Sequence, residues 1–364
     1  MLRAVAPNGL TIKLGMSYMI YADTNKTYPL TMEEQRTYIE HPGKAVVSDK
    51  RFKHVMALTL DPRSGNKDGI LRCIISREGD VEFSGSIDRS VLHKVRGDSL
   101  VHFSIEEALA IENESETVRQ LRGDDWDFLG LEDPDIWRDE KTDLMHVYFT
   151  IPFRNKTDGL TLTHLGHAVG SDFNSIKMTP PVLMDRAKEV CIAPPNKQGI
   201  RYNLVESSEF GKDFWYSTVR VAVAEDMGKS WEYGETVFHP EKQNIPWIGG
   251  HASPGPLLPE TFVNIGPGKR VGILNGRERN QIVGNKIKFG IFSVGLFIYD
   301  YEKGKIDWFS TEPFIRDSQA KTSTFASQFV EIDRTTGIIY AQVDNSFVRA
   351  FTLNANRIKS LVGI

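Results

Sequence analysis

Glu132 and Asp133 stand side by side within Trp126-Asp-Phe-Leu-Gly-Leu-Glu-Asp-Pro-Asp-Ile-Trp137. A carboxylic acid that burial or carboxylate neighbours keep protonated delivers a proton to a poor leaving group. Glu132 and Asp135 are such neighbours for Asp133 in the chain. Pro134 biases Asp133 toward extended backbone, where adjacent side chains face opposite ways. One carboxylate then points into a cleft and the other bonds a loop; the plain alternative is an Asx-type turn before a strand. A second dense segment is Trp247-Ile-Gly-Gly-His-Ala-Ser-Pro-Gly-Pro256. Its glycines allow close backbone approach, His251 donates or accepts near neutral pH, and Trp247 offers a face for stacking. A tight connector with a satisfied histidine fits the same residues. Gly276-Arg277-Glu278-Arg279 is either a grip on an anion or substrate, or a solvated salt-bridge loop. His146, His164 and His167 lack metal-ligand spacing to any cysteine, and Gly228-Lys229-Ser230 has no glycine-rich loop ahead of it, so nucleotide binding is not supported.

These residues must be positioned by strands. β-rich runs bounded by turn residues cover 52–60, 71–76, 145–150, 162–169, 216–224, 270–274, 288–292, 296–300, 336–341 and 348–352. Two capping-box patterns predict short helical insertions at Thr31–Glu40 and Ser104–Ile111. A weak repeat, an apolar strand entering a Gly/Asp turn and then an aromatic, recurs at Ile75–Phe83, Val223–Trp231, Ile298–Trp308 and, more poorly, Ala168–Ile176. Each copy has the form of the outer hairpin of a propeller blade. In such a ring, polar residues from widely separated places converge on one mouth.

The chain of 364 residues, 40% of them hydrophobic, is long enough for a sizeable core. Lys plus Arg is 44 and Asp plus Glu is 48, a formal charge of −4, which gives no general pull toward nucleic acid or an anionic membrane. The two cysteines, Cys73 and Cys191, form at most one disulfide and no metal cluster. No apolar run is long enough to span a bilayer, and residues 1–9 lack a secretory h-region, so the expected location is cytoplasmic.

The Glu132–Asp133–Pro134–Asp135 segment resembles the Glu-Asp-Pro-Arg segment of family 130 glycoside hydrolases and phosphorylases. Four more pieces in the same order carry the resemblance: Pro195-Asn196-Lys197, the 221–231 hairpin, Gly295–Asp300 with Pro313, and Ile339–Asp344. It runs from about residue 41, where His41-Pro-Gly-Lys44 resembles an Asn-Pro-Gly segment, to the C-terminus. It implies an all-β, five-bladed β-propeller, a single domain over 1–364, with residues 1–40 as an extension that packs on or closes the ring. It also implies an enzyme acting on β-mannosides, with Asp133 as general acid.

Departures from the pattern redirect the chemistry. Asp135 stands where the family has Arg, Glu206 lies near a usual phosphate-binding Arg, and Asn275 replaces a His. These changes weaken phosphorolysis and make Glu206 the expected base of a hydrolase; its plain alternative is an outward-facing carboxylate paired with a Lys. Arg77, Glu132, Lys197, Trp247, His251, Arg277, Tyr340 and Asp344 are expected to orient sugar or anion. The expected partner is an oligosaccharide or glycoside, with a homo-oligomer left open. No organic cofactor is implied; a bridging cation is an option, as is inorganic phosphate as co-substrate in the alternative reading of a β-mannoside phosphorylase. A non-catalytic carbohydrate-binding propeller is the other alternative.

Overall fold

The computed structural model describes residues 37–47, 49–212 and 214–364. The helix expected at Thr31–Glu40 lies mostly outside these residues. Its last three positions begin a strand, β1 (Tyr38–Val46).

Four antiparallel strands make blade one: β2 (His54–Leu60), β3 (Asp68–Glu78), β4 (Ile87–Ser99) and β5 (His102–Ala108). After α1 (Glu114–Leu121), blade two has β6 (Trp126–Phe128) and β7 (Glu132–Arg138) on one edge of β8 (Met145–Asn155), then β9 (Thr161–Gly170) and β10 (Lys177–Leu183). Blade three is β11 (Lys188–Cys191), β12 (Arg201–Phe210), β13 (Trp215–Ala224) and β14 (Glu232–Phe238), followed by α2 (Pro240–Gln243). Blade four is β15 (His251–Leu257), β16 (Lys269–Arg277), β19 (Phe292–Asp300) and β20 (Lys305–Phe309), with a small hairpin, β17 (Gln281–Val283) and β18 (Lys286–Lys288), inserted between its middle strands. Blade five is β21 (Thr324–Glu331), β22 (Thr336–Val343) and β23 (Phe347–Asn354), with α3 (Ala355–Leu361) beyond; β1 joins it as fourth strand by pairing with β23. The fold is an all-β, five-bladed propeller whose last blade is completed by a strand from the other end of the described chain.

The hydrophobic pattern explains the ring. Successive residues of a strand point to opposite faces, so a blade packed on both sides needs apolar residues at consecutive positions. Ile70 packs toward blade two, whereas Leu71 packs toward blade five. Val147 and Tyr148, Leu204 and Val205, Ile273 and Leu274, and Ile339 and Tyr340 divide in the same way between the two cores that flank each blade. Five inter-blade cores result. Amide side chains add ties: Asn275 accepts from the Ala326 N–H at 2.8 Å and donates to its carbonyl at 2.9 Å, and Gln342 accepts from the Ala57 N–H at 3.0 Å. Asn275 therefore locks blade four to blade five and does not occupy the pit.

Three expectations are corrected. Residues 104–111 do not form a helix. Ser104–Ala108 pairs with β4, and Phe103 and Ile105 alternate into the core between blades five and one. Ile75–Phe83 is the connection between the second and third strands of blade one, whereas the other three copies of the repeat are outer hairpins. Residues 289–291 break the strand expected at 288–292, because β18 belongs to the inserted hairpin and β19 starts at Phe292. Both cysteines are buried and free. Among the described residues no helix is long and apolar enough to cross a membrane.

Candidate active site

The innermost strands β2, β7, β11, β15 and β21 ring a central channel, and each shows a register shift against its neighbour. A bulge bends a strand and re-aims its side chains. In the first three strands the bulge holds a non-glycine residue at positive φ: Ala57 at 50°, Asp133 at 49° and Glu189 at 46°. Above these bulges opens a pit of about 700 Å³, a size suited to a small ligand. Below them a narrower space of about 170 Å³ continues between all five inner strands.

Glu132 and Asp133 both line the pit. The expectation that they face opposite ways is corrected: the left-handed backbone at Asp133, with the register shift between Glu132 and Asp135, turns both toward the same cation. That cation is Arg72, from the apolar run of β3. Its guanidinium donates to Asp133 Oδ1 at 2.9 Å, to Ser90 Oγ at 2.8 Å and, very closely, to Glu132 Oε1. Burial pushes the Glu132 carboxyl up to about 7, against the pull of Arg72 and with the push of Asp133. Asp135 points below the bulge, into the channel; burial raises it to about 7, opposed by bonds from the Ile136 N–H and Thr59.

Glu206, on β12, is 1% exposed and lines the pit floor. Lys188 Nζ lies 2.9 Å and His251 Nε2 3.0 Å from its Oε1. Burial alone would raise this carboxyl, but His251 and Lys188 outweigh burial and hold it well below the usual carboxylate range. The outward-facing alternative fails on burial, although its lysine partner is there. Burial lowers His251 to about 4, so near neutral pH the ring is uncharged and Lys188 supplies the charge that holds Glu206 ionised. Beside them Glu189 behaves oppositely. Burial, then the Asp133 and Glu206 carboxylates, push it well above its ordinary value. One pit thus holds a carboxylate kept ionised and a carboxyl kept protonated.

Arg277 lines the same pit. Its guanidinium lies 4.3 Å from the Phe289 ring centre and 5.2 Å from that of Phe292. Arg77 stands at the rim, in a two-pronged ion pair with Asp88 at 2.6 and 2.7 Å; it also donates to the Asn345 carbonyl at 3.2 Å. Part of the pit wall comes from the inserted hairpin, which reaches blade one. The Ser84 N–H donates to Ile287 O at 2.9 Å, the Phe289 N–H to Glu82 O at 2.8 Å, and Lys288 pairs with Glu82 at 3.3 Å.

Solved structures match with a TM-score above 0.5. Against a β-1,2-mannobiose phosphorylase from Listeria innocua in complex with β-1,2-mannobiose, the TM-score is 0.55 at 13% identity, covering 90% of both chains. Against a mannose phosphorylase from Leishmania mexicana in complex with a phosphate ion, it is 0.54 at 12% identity, covering 90% of this chain and 92% of that one. A protein described as a glycoside hydrolase gives 0.57 at 10% identity, covering 89% and 96%. What they share with this chain is the fold. No family model and no curated protein matches the sequence.

Of the residues singled out in the sequence, the structure brings Glu132, Asp133, Glu206, His251 and Arg277 into one pit, with Arg77 at its rim. Four are held elsewhere. Trp247 is buried between blades three and four, where Gly276 and Gly295 leave room for its ring: a Cβ on either would come within 2.4 Å of it. Tyr340 is buried between blades five and one and donates to Leu100 O at 2.6 Å. Lys197 is exposed in the connection between β11 and β12, where its N–H donates to Glu302 at 3.2 Å. Asp344 accepts from the Thr322 N–H at 2.7 Å and from Lys321 and Ser323, so it shapes a segment lining the pit while its own carboxylate is already occupied. His41 sits on β1, bonded to Thr352 at 2.8 Å. Arg72, Lys188 and Glu189 were not read from the sequence. Arg72 alone left a signal, a charge inside Ile70-Leu71-Arg72-Cys73-Ile74 that burial obliges to pair.

Proposed function

We propose that the protein is a glycoside hydrolase acting in this pit, on a β-mannoside or a related oligosaccharide. The observation that carries the reading is that one pit floor holds Glu206, buried against Lys188 at 2.9 Å and held below the usual carboxylate range, and Glu189, pushed above it by burial and by the Asp133 and Glu206 carboxylates. Carboxyl groups whose surroundings push their acidities apart serve as base and acid. Glu206 takes a proton from water as the water oxygen bonds the anomeric carbon. The bond from that carbon to the glycosidic oxygen breaks, and the leaving oxygen takes the Glu189 proton. The donor role that the resemblance gave Asp133 passes to Glu189, because the Asp133 carboxyl is already engaged by the Arg72 guanidinium at 2.9 Å. Asp133 then acts through Glu189, by keeping it protonated. The mannoside preference is supported by the substrates named for two of the similar structures.

The test is sugar release from a panel of β-mannosides and related glycans, with and without phosphate. Hydrolysis independent of phosphate is expected, with Glu206→Gln and Glu189→Gln each losing about 10²- to 10⁴-fold in turnover. Asp133→Asn should keep part of the activity and lower the alkaline limb of the pH profile. Obligatory phosphate overturns hydrolysis. An inactive Asp133→Asn beside an active Glu189→Gln returns the donor role to Asp133.

A further inference from the structure

The basic residues that line the pit are not equivalent. Arg72 is committed to Glu132 and Asp133, and Lys188 to Glu206. Arg277 has no ion-pair or hydrogen-bond partner among the described residues, and its Nε is shut off from solvent without an acceptor. A guanidinium carries five donors that water or an acceptor must satisfy. Leaving a buried charged donor unmatched is costly, so such a group marks a place where a ligand completes the set.

Phe289 and Phe292 flank the guanidinium, and Phe292 packs edge-on against His251 at 4.9 Å and against Phe325 at 5.5 Å. A fork packed beside aromatic rings is pre-organised for a flat, two-oxygen acceptor. Burial lowers Arg277 only to about 10, so it remains a cation near neutral pH. On the neighbouring strand the residue opposite Arg277 is His251, which touches Glu206.

We infer that Arg277 binds a carboxylate carried on the sugar, so that the glycoside taken by this pit contains a uronic acid unit. This rests on the pit being the substrate site and deepens that reading. The planar fork of Arg277 favours a sugar carboxylate over free phosphate, because it matches a flat, two-oxygen acceptor and phosphate is tetrahedral and, near neutral pH, largely a dianion. The acid that acts on Arg277 is Glu206, held as the anion, which repels a second negative charge.

Calorimetry on the full wild-type chain reads binding apart from turnover, because free monosaccharides carry no glycosidic bond to cleave. The probes are glucuronate, galacturonate and mannuronate, each against its neutral parent sugar, and inorganic phosphate. At least one uronate should bind roughly 10- to 100-fold more tightly than its parent, as a charge-assisted pair implies. Arg277→Gln should erase that preference, and Arg277→Lys should keep part of it; melting curves of both variants check folding. Equal binding of uronate and parent sugar, or tighter binding of phosphate than of every uronate, overturns the inference. Equal preference in wild type and a folded Arg277→Gln also overturns it. If neutral mannosides are hydrolysed while uronates show no preference, this inference fails and the hydrolase reading stands. If uronates bind with the Arg277 dependence but no glycoside is cleaved, the reverse holds.

Discussion

The charge that keeps Glu206 ionised comes from Lys188, and its removal has a consequence that does not depend on the substrate. In Lys188→Met the methylene stem persists and the ammonium 2.9 Å from Glu206 is lost. The remaining neighbour, His251, is itself lowered to about 4 by burial, so near neutral pH it offers a dipole in place of a charge. Burial, the largest influence on Glu206, is then no longer outweighed, and the carboxyl should rise from below the normal range to above it. Breaking a fully buried pair costs about 3–5 kcal/mol, because the other charge is left behind. The Lys188 side chain is 37% exposed and Glu206 only 1%, so water screens part of the lost attraction, and a cost of about 1–3 kcal/mol is the proportionate expectation.

The sign of the pH dependence follows from linkage. A carboxyl whose folded pKa lies below its unfolded value of about 4.3 adds stability above that pH and loses it as the pH falls through the folded value. That is wild-type Glu206, whose contribution is complete near neutral pH. In Lys188→Met the folded value lies above the unfolded one. The group then costs stability as the pH rises past about 4.3 and reaches its full cost once the pH passes the folded value. The melting temperature of the variant should therefore fall furthest below wild type near pH 7, and the gap should narrow toward about pH 4, closing only as the pH falls on through the low folded value of wild-type Glu206. Circular dichroism melts of both proteins across this range measure it. A gap that stays constant between these pH values refutes the argument, since it would mean that Lys188 contributes packing alone.

Arg72→Met should be worse, because it strands Glu132 and Asp133, whose side chains are 15% and 8% exposed, without their cation. A loss of about 3–5 kcal/mol in denaturant titration is expected, largely restored by adding Glu132→Gln and Asp133→Asn, and a loss below about 1 kcal/mol would show that the pairs are not coupled to folding. Replacing 281–288 with a short Gly-Ser turn should leave the melting temperature nearly unchanged, since Gln281–Val283 are all exposed. It should raise turnover of longer glycosides relative to disaccharides by opening the wall made with Glu82 and Ser84. An unchanged chain-length profile would remove the hairpin from substrate selection.

The strands were legible because a blade packed on both faces writes its register as an apolar run, as in Ile70-Leu71 and Leu204-Val205. The helix expected at 104–111 misled because a capping pattern is local. The competing alternation of Phe103 and Ile105 was the true signal, and pairing with β4 decided it. The observed α1 has Asn113 at its start, with Glu116 three residues on, yet the Asn113 side chain makes no cap. Trp247 and Tyr340 misled because an aromatic next to polar residues reads equally as a sugar platform or as core. The glycines at 276 and 295 that make a socket for Trp247 lie far away in the chain. Glu189 had no signal: its role depends on proximity to Asp133 and Glu206, which come from other strands.

The bulges explain how one architecture yields the site. Positive φ at a non-glycine residue costs roughly 1–3 kcal/mol and persists only where the surroundings enforce it. Blade one bears that cost at Ala57, a residue with no chemistry to offer. The strained turn therefore belongs to the packing of the inner strands around the channel, and Gln342, bonded to the Ala57 N–H, helps enforce it from blade five. Asp133 and Glu189 occupy the same place in the next two blades. A regular strand would send alternate side chains to opposite faces and bury at most one carboxyl of each pair near the pit. With the bulge, Glu132 joins Asp133, and Lys188 joins Glu189, at the pit wall. The ring supplies the distortion in any case, and placing acidic residues on it in two neighbouring blades concentrates enough like charge to keep one carboxyl protonated while Lys188 keeps another ionised.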